Sequence, residues 1–416
     1  MNLRCLLVLA LAGTCGVVPL GRAAETLRLE DAVARALASN PVLAAEAAQL
    51  RAVQARAQRE GLPTPYTVGA DFENALGTGA LSGVHLAETT LRVGRVIELG
   101  GKRAARQALG SAEISQQRHL VDTARVDIAS RTTTRFIEVV ADQQRLKYAQ
   151  ERVRQAERTR REVATWVAAA RNPESDLRAA EIAVAEAELE REHAEHELAS
   201  ARMTLAASWG ALNDDFEMAA GDLQELPVVE SFEALASRLP MTAEQRASML
   251  EADTIAARRR VAAASGKPDL SVSLGVRRLQ VLGDQGLVMS VSMPLGSKTR
   301  AAFSVAEADA QLAALQARRD ALRFERHQGL FEKYQELNHA RTEVEMLRGR
   351  MLPKAEQAMA FTRRGFEAGR FSFVSLAQAQ NTLFDLRERA VEAATRYHTL
   401  LVEVERLTAL ATEATP

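Results

Sequence analysis

Residues 376–407 read LAQAQNTLFDLRERAVEAATRYHTLLVEVERL, and residues 177–208 read LRAAEIAVAEAELEREHAEHELASARMTLAAS. In the later stretch Leu376, Ala379, Leu383, Leu386, Ala390, Ala393, Tyr397, Leu400, Val404 and Leu407 recur at alternating steps of three and four. In the earlier one Leu177, Ala180, Val184, Ala187, Arg191, Ala194, Leu198, Ala201, Leu205 and Ser208 do the same, 199 positions before. Unslipped alternation of this kind is a heptad seam, and only Arg191 and Ser208 interrupt it. A helix with one narrow apolar seam needs a partner helix along its length. A duplicated hairpin therefore points to an extended, symmetric assembly rather than a compact enzyme.

Composition agrees. Only 4% of the 416 residues are aromatic, and Ala, Glu, Arg and Leu dominate, as in long helices. A formal net charge of −1 gives no reason to expect a nucleic acid or an anionic membrane surface as partner. The charged residues are interleaved in sign, the pattern of solvated helix faces.

Residues 1–23 read as a secretory signal: Arg4, then the apolar stretch 5–18, then Gly21-Arg22-Ala23 as a cleavage site. Both cysteines, Cys5 and Cys15, lie inside it, so the mature chain is expected to hold no disulfide and no cysteine-ligated metal. Leu11-Ala12-Gly13-Thr14-Cys15 is one residue out of register for a lipid-attachment box. No later stretch reaches the ~20 apolar residues of a membrane helix, so any crossing must use β-strands.

Outward from the seams, the chain divides into two repeats, 24–209 and 242–416, joined by an irregular connecting segment, 210–241. Each repeat opens with a helix. Residues 26–60 read as helical, with a restart at Asn40-Pro41, and a second opening helix covers about 242–264. Each then carries an alternating strand pair, 65–97 and 269–295. Tyr66, Val68, Ala70 and Phe72 share one face, as do Leu91, Val93 and Ile97, while Arg95 breaks the apolar set. The opposite faces hold Asp71, Glu73, Arg92 and Arg277, placed to line water. Leu270, Val272, Leu274, Val276, Leu287, Met289, Val291 and Met293 continue the apolar face. Strands of this length suit an outer-membrane barrel, but four of them enclose only side chains, so several copies must share one barrel. Two soluble hairpins capping a rod are the simpler alternative.

A long helix follows each pair, from about Gly101 to Ala170 and from Lys298 to Ala368, the second kinked at Pro353. Tight turns at Arg171-Asn172-Pro173 and Gly369-Arg370-Phe371 lead into the seamed return helices. Asn172 reads as an N-cap with Pro173 first in the helix. At ~1.5 Å per residue, a helix of about 70 residues spans roughly 105 Å.

The order helix, strand hairpin, long helix, tip, return helix, all repeated after a signal, is similar to the TolC-like outer-membrane factors of Gram-negative efflux and secretion systems. The resemblance covers the mature chain. Residues 26–41, TLRLEDAVARALASNP, resemble the family's opening helix, and 98–106, ELGGKRAAR, resemble the CzcC and CusC branch, which serves heavy-metal efflux. The resemblance implies a mainly α chain with a small β part. It also implies a homotrimer with a twelve-stranded barrel in outer-membrane lipid and a helical tunnel through the periplasm. The tips would meet a periplasmic adaptor, or membrane fusion protein, coupled to an inner-membrane RND-type pump. It implies no catalytic residues, no cofactor and no resident metal.

One departure stands out. The family often carries paired aspartates early in the second return helix, as V-D-V-L-D-A. Here the stretch is Val374-Ser375-Leu376-Ala377-Gln378-Ala379, without either acid. The matching place in the first repeat keeps Asp176, with Glu174 and Glu181 nearby. Asp176, Glu174, Ser375 and Gln378 are therefore the candidate gate residues, and Asp176 is the expected source of a negative ring. The other reading is that it complements the helix N-terminus. His193 and His196 have a spacing that can bind metal, but both lie off the seam and read as a solvated face. Gly100-Gly101 precedes a helix without a phosphate loop around it and reads as a barrel-to-tunnel transition. A duct for drugs or secreted proteins, and a pore-free periplasmic scaffold, are the competing functions.

Overall fold

A computed structural model describes residues 26–411; the signal segment with Cys5 and Cys15 lies outside the described residues. The chain begins with β1 (Thr26–Arg28), α1 (Leu29–Ser39) and α2 (Pro41–Glu60). Residues 26–28, expected to be helical, instead pair in parallel with β4 (Met218–Ala220). Glu30 and Asp31 then favour the positive end of α1. Asn40 ends α1 and caps α2, accepting from the Val42 N–H at 2.8 Å with Pro41 at the first helical position. Its amide also donates to the Ser208 carbonyl at 2.7 Å.

Two hairpins, β2 (Tyr66–Glu73) with β3 (Glu88–Ile97) and β5 (Leu270–Leu279) with β6 (Gln285–Ser292), form one antiparallel sheet in the order β2-β3-β5-β6. The register sets Arg95 opposite Tyr66. Its guanidinium lies 4.9 Å from the Tyr66 ring centroid and donates to the phenol oxygen at 3.3 Å. Arg95 therefore belongs on the apolar face through a cation–π contact.

The first long helix, α3 (Lys102–Ala168), contains 67 residues, about 100 Å of rise. Thr132, Thr133 and Thr134 return their hydroxyls to the carbonyls four residues back, which keeps these β-branched residues satisfied inside a helix. The return helix α4 (Glu174–Ala206) packs on its tip-proximal part, while α2 and α6 (Ala243–Ser265) also pack along α3. In the second repeat α7 (Ser297–Met346) and α8 (Leu352–Glu367) are joined by a π-helical turn at Leu347–Met351, and α9 (Phe373–Leu407) returns. The irregularity expected at Pro353 falls one turn earlier, where carbonyls facing a missing proline N–H widen the helix.

The seams are the buried stripes. Ala180, Ala187, Leu198 and Leu205 are buried in α4, and Leu376, Leu383, Tyr397 and Val404 in α9. α9 carries a second buried stripe, with Val391, Ala394 and Val402, because it packs against α3 as well as α7 and α8. Ser208, an interruption of the first seam, accepts from Arg135 at 2.9 Å.

The segment expected to be irregular, 210–241, contains β4 and a short α5 (Phe232–Ala236). Gln143 holds β4 by a two-way bond to Ala219, donating to its carbonyl at 2.9 Å and accepting from its N–H at 2.8 Å. Beneath lie Leu27, Phe136, Val139, Leu205, Trp209 and Phe216, one hydrophobic cluster at the waist of the helices.

Candidate functional site

The sheet has two unlike faces. On the apolar one, Val68, Phe72, Leu91, Leu274, Val276, Leu287 and Met289 are all exposed. On the other, Arg92 meets Asp71 at 3.1 Å, and Arg277 meets Glu73 at 3.0 Å. All four lumen candidates are thus brought together in two ion pairs. Glu88 and Thr90 join them, at 2.8 and 2.9 Å from Arg277. Glu88 precedes the alternating stretch that begins at Thr89, and Thr90, inside it, carries no charge to mark it as part of the polar face. The outer edges of β2 and β6 have no further strand partner among the described residues, and none of the described helices is long and apolar enough to cross a membrane.

The ELGGKRAAR motif forms the collar between sheet and helices. Arg106 grips Glu98 with both terminal nitrogens, at 2.5 and 3.0 Å, and donates from Nε to the Glu60 carbonyl at the end of α2. Arg103 donates to the Gly61 carbonyl, and Lys102 meets Asp269 at 2.6 Å just before β5. The hydrogen bonds from Arg106 hold the Glu98 carboxyl below the ordinary carboxylate range. Helix α3 starts on Gly101 at φ 72 and α7 on Gly296 at φ 85, so these two glycines are the equivalent starts.

At the far end the two helix tips use the same turn. Ala170 and Arg171 N–H groups bond the Val167 and Trp166 carbonyls, and 199 positions on Gly369 and Arg370 bond Phe366 and Gly365. This is the Schellman closure, and it requires positive φ at the first residue of each pair. Gly369 has φ 69, and Ala170 is forced to φ 54. The tips therefore align as Ala170-Arg171-Asn172 with Gly369-Arg370-Phe371, shifted by one from the expected pairing with Arg171-Asn172-Pro173. Asn172 is not the N-cap: Pro173 occupies that position with ψ 155, and Ser372 is its capping counterpart. The Asn172 amide instead donates to the Asp176 carboxylate at 2.8 Å.

The acids at this tip differ in their partners. Arg178 binds both Glu174 and Glu181, at 2.8 and 2.9 Å. Asp176 is partnered by the neutral Asn172 and has no ion pair among the described residues. Ser375 is absorbed in the cap of α9, with its hydroxyl 3.0 Å from Ser372 Oγ, and Gln378 is exposed one turn on. Behind the turns, Val163, Ala180, Phe366, Phe373 and Leu376 form one buried cluster drawn from α3, α4, α8 and α9. The Trp166 and Phe366 rings are 4.4 Å apart.

His193 is exposed and borders a cleft of about 520 Å³ lined by α3, α4 and α9, with Asp142, Arg152, Glu190 and Glu388. Burial raises the Glu190 carboxyl. His196 faces Glu192 at 3.7 Å. No group of three or more potential ligands that could hold a metal occurs among the described residues.

Residues 241–410 match the model of the family described as outer membrane efflux protein. Over 372 residues the chain is 32% identical to the cobalt-zinc-cadmium resistance protein CzcC of Cupriavidus metallidurans, covering 88% of this chain and 86% of that relative. Its fold is similar to a crystallised membrane protein from Pseudomonas aeruginosa, with TM-score 0.76, 15% identity, and 91% of this chain and 90% of that one covered. It is equally similar to CusC, with TM-score 0.76 and 12% identity over 92% of each chain. The outer membrane protein VceC from Vibrio cholerae gives 0.75 and 15%, over 92% of this chain and 97% of that one.

Proposed function

This chain belongs to the outer membrane efflux protein family, and on that premise we propose that it is the exit duct for divalent heavy-metal cations. It is an outer-membrane efflux channel. The observation that carries the cargo is the 32% identity to a cobalt-zinc-cadmium resistance protein along nearly the whole chain. The duct does no chemistry of its own.

Three copies of the chain form the working unit. A four-stranded sheet encloses no lumen, and its open β2 and β6 edges are not tolerated in lipid. Three sheets joined edge to edge supply the twelve strands that the family resemblance implies, with the apolar face outward and the paired charges inward. The tips, with Arg171, Asn172, Pro173, Gly369, Arg370 and Phe371, face a periplasmic adaptor that links the duct to an RND-type pump of the inner membrane.

Deleting the gene should increase sensitivity to cobalt, zinc or cadmium, with the wild-type gene restoring resistance. Unchanged metal sensitivity beside a new sensitivity to organic drugs would replace the cargo. A mature protein recovered as a soluble monomer would remove the channel altogether.

At the periplasmic mouth, Asp176 supplies the fixed negative charge, three times over. What supports it against Glu174 is that, among the described residues, its carboxylate has only a neutral side-chain partner, whereas Glu174 shares Arg178. Asp176→Asn should lower the cation-over-anion permeability ratio in planar bilayers by roughly two- to fivefold, since rings of charge set such ratios. An unchanged reversal potential leaves Asp176 as a helix-start acid only.

A further inference from the structure

Strand register sets Glu73 directly opposite Glu88. Like charges in that relation repel, and the fold answers with a single side chain from the other repeat. Arg277 spans both: Nη2 lies 3.0 Å from Glu73 Oε2, Nη1 2.8 Å from Glu88 Oε2, and Nε 2.9 Å from Thr90 Oγ1. Asn74 donates to the remaining Glu88 oxygen at 2.9 Å. The group sits at the end of the sheet away from the helices, beside the 74–87 and 280–284 turns, and the Glu73 side chain is 52% exposed. This is the outer mouth of the duct.

Two carboxylates held face to face by strand pairing are a divalent-cation clamp in every respect but one: their cation is already present and covalently attached. We propose that Arg277 is a resident counter-cation that keeps the outer mouth from retaining the cargo. Weak, open oxygen sites hold divalent cations with dissociation constants on the order of 10⁻⁴–10⁻³ M. A conducting path requires that each site release its ion. A guanidinium fixed between Glu73 and Glu88 lets the mouth keep its carboxylates, which the sheet uses as cross-strand ties, without offering them to metal. The inference rests on the channel reading and gives the cation cargo a reason at its exit.

The test is divalent block of purified channels in planar bilayers, with ZnCl₂ or CdCl₂ added to KCl on both sides. The wild-type response is the baseline, so any block at the periplasmic tips is subtracted. R277Q should be half-blocked at a Zn²⁺ concentration about tenfold lower than wild type, near the millimolar range or below. R277K should behave as wild type, and E88Q/R277Q should lose the added sensitivity. Equal block of R277Q and wild type overturns the proposal, as does block of E88Q/R277Q as strong as that of R277Q. If R277Q forms no channels, refolding with Zn²⁺ or Ca²⁺, or the E88Q change, should restore them; restoration by neither overturns it too. Because the readout is ionic current, it stands apart from the cargo assignment, which fails only if metal resistance does not depend on the gene.

Discussion

Phe366→Ala should weaken the packing of the helix tips by about 3–5 kcal/mol, the usual range for emptying a buried aromatic site. Phe366 is fully buried, at 0% exposure, and touches the Trp166 ring at 4.4 Å. Its cluster draws on α3 and α4 from one repeat and α8 and α9 from the other. The side chain therefore binds the two hairpins to each other more than it stabilises either turn, which has its own backbone closure. Long helical assemblies open locally where burial is sparse, and the tips are the end of the molecule. The loss should appear there and not in the melting of the sheet. Tryptic cleavage at Arg171 and Arg370, both exposed beside the turns, is the direct measure. At ~1.4 kcal/mol per factor of ten, cleavage through local opening should accelerate by at least about 100-fold. Phe366→Leu should recover most of the difference. Cleavage unchanged in Phe366→Ala would show that the turns, not the shared cluster, hold the tips.

How much of this was readable beforehand follows from the range over which each feature is encoded. The seams of α4 and α9 are local: Leu376, Leu383 and Tyr397 announce their burial by spacing alone, and the structure buries them. The polar strand face was local as well, so Asp71, Glu73, Arg92 and Arg277 were nameable. That Arg277 serves Glu73 and Glu88 was not, because the pairing crosses from one repeat to the other, and only register fixes it. Arg95 shows the same limit. In one strand it is an unexplained charge on an apolar face; beside Tyr66, 29 positions away, it has a partner. β1 and β4 escaped for another reason. Three residues each are too few for a period, and their pairing, clamped by Gln143, exists only because the waist cluster brings them together. At the tip, Asn172 has good capping chemistry, but the Schellman closure at Ala170 shifts the helix start to Glu174 and leaves its amide for Asp176.

The same dependence on register puts the second large effect at Gly275. Its partner in β3 is Arg92, and a Cβ at 275 would lie 2.5 Å from the Leu91 carbonyl oxygen and 2.9 Å from Arg92 Cβ. The first contact is with backbone, so no side-chain rearrangement relieves it. Gly275→Ala is therefore nearly as harmful as Gly275→Val: in both, β3 and β5 must separate. That pair is the only ladder joining the hairpins of the two repeats among the described residues. Overpacking in a rigid site costs about 1–3 kcal/mol or more. Here a barrel shared between copies multiplies it, and lipid allows no gap in the ladder. Either variant should be missing from the outer-membrane fraction as an assembled oligomer, and metal resistance should fall to that of the deletion strain. Arg92→Gly added to Gly275→Ala removes the 2.9 Å contact but leaves the 2.5 Å one, so it should not rescue assembly. Gly286→Ala, with nothing within 4 Å of the added carbon, should assemble normally. Assembly of Gly275→Ala at wild-type levels would mean that β3 and β5 do not approach this closely in the membrane. The Arg277 fork depends on the same approach of β3 and β5 and would loosen with it.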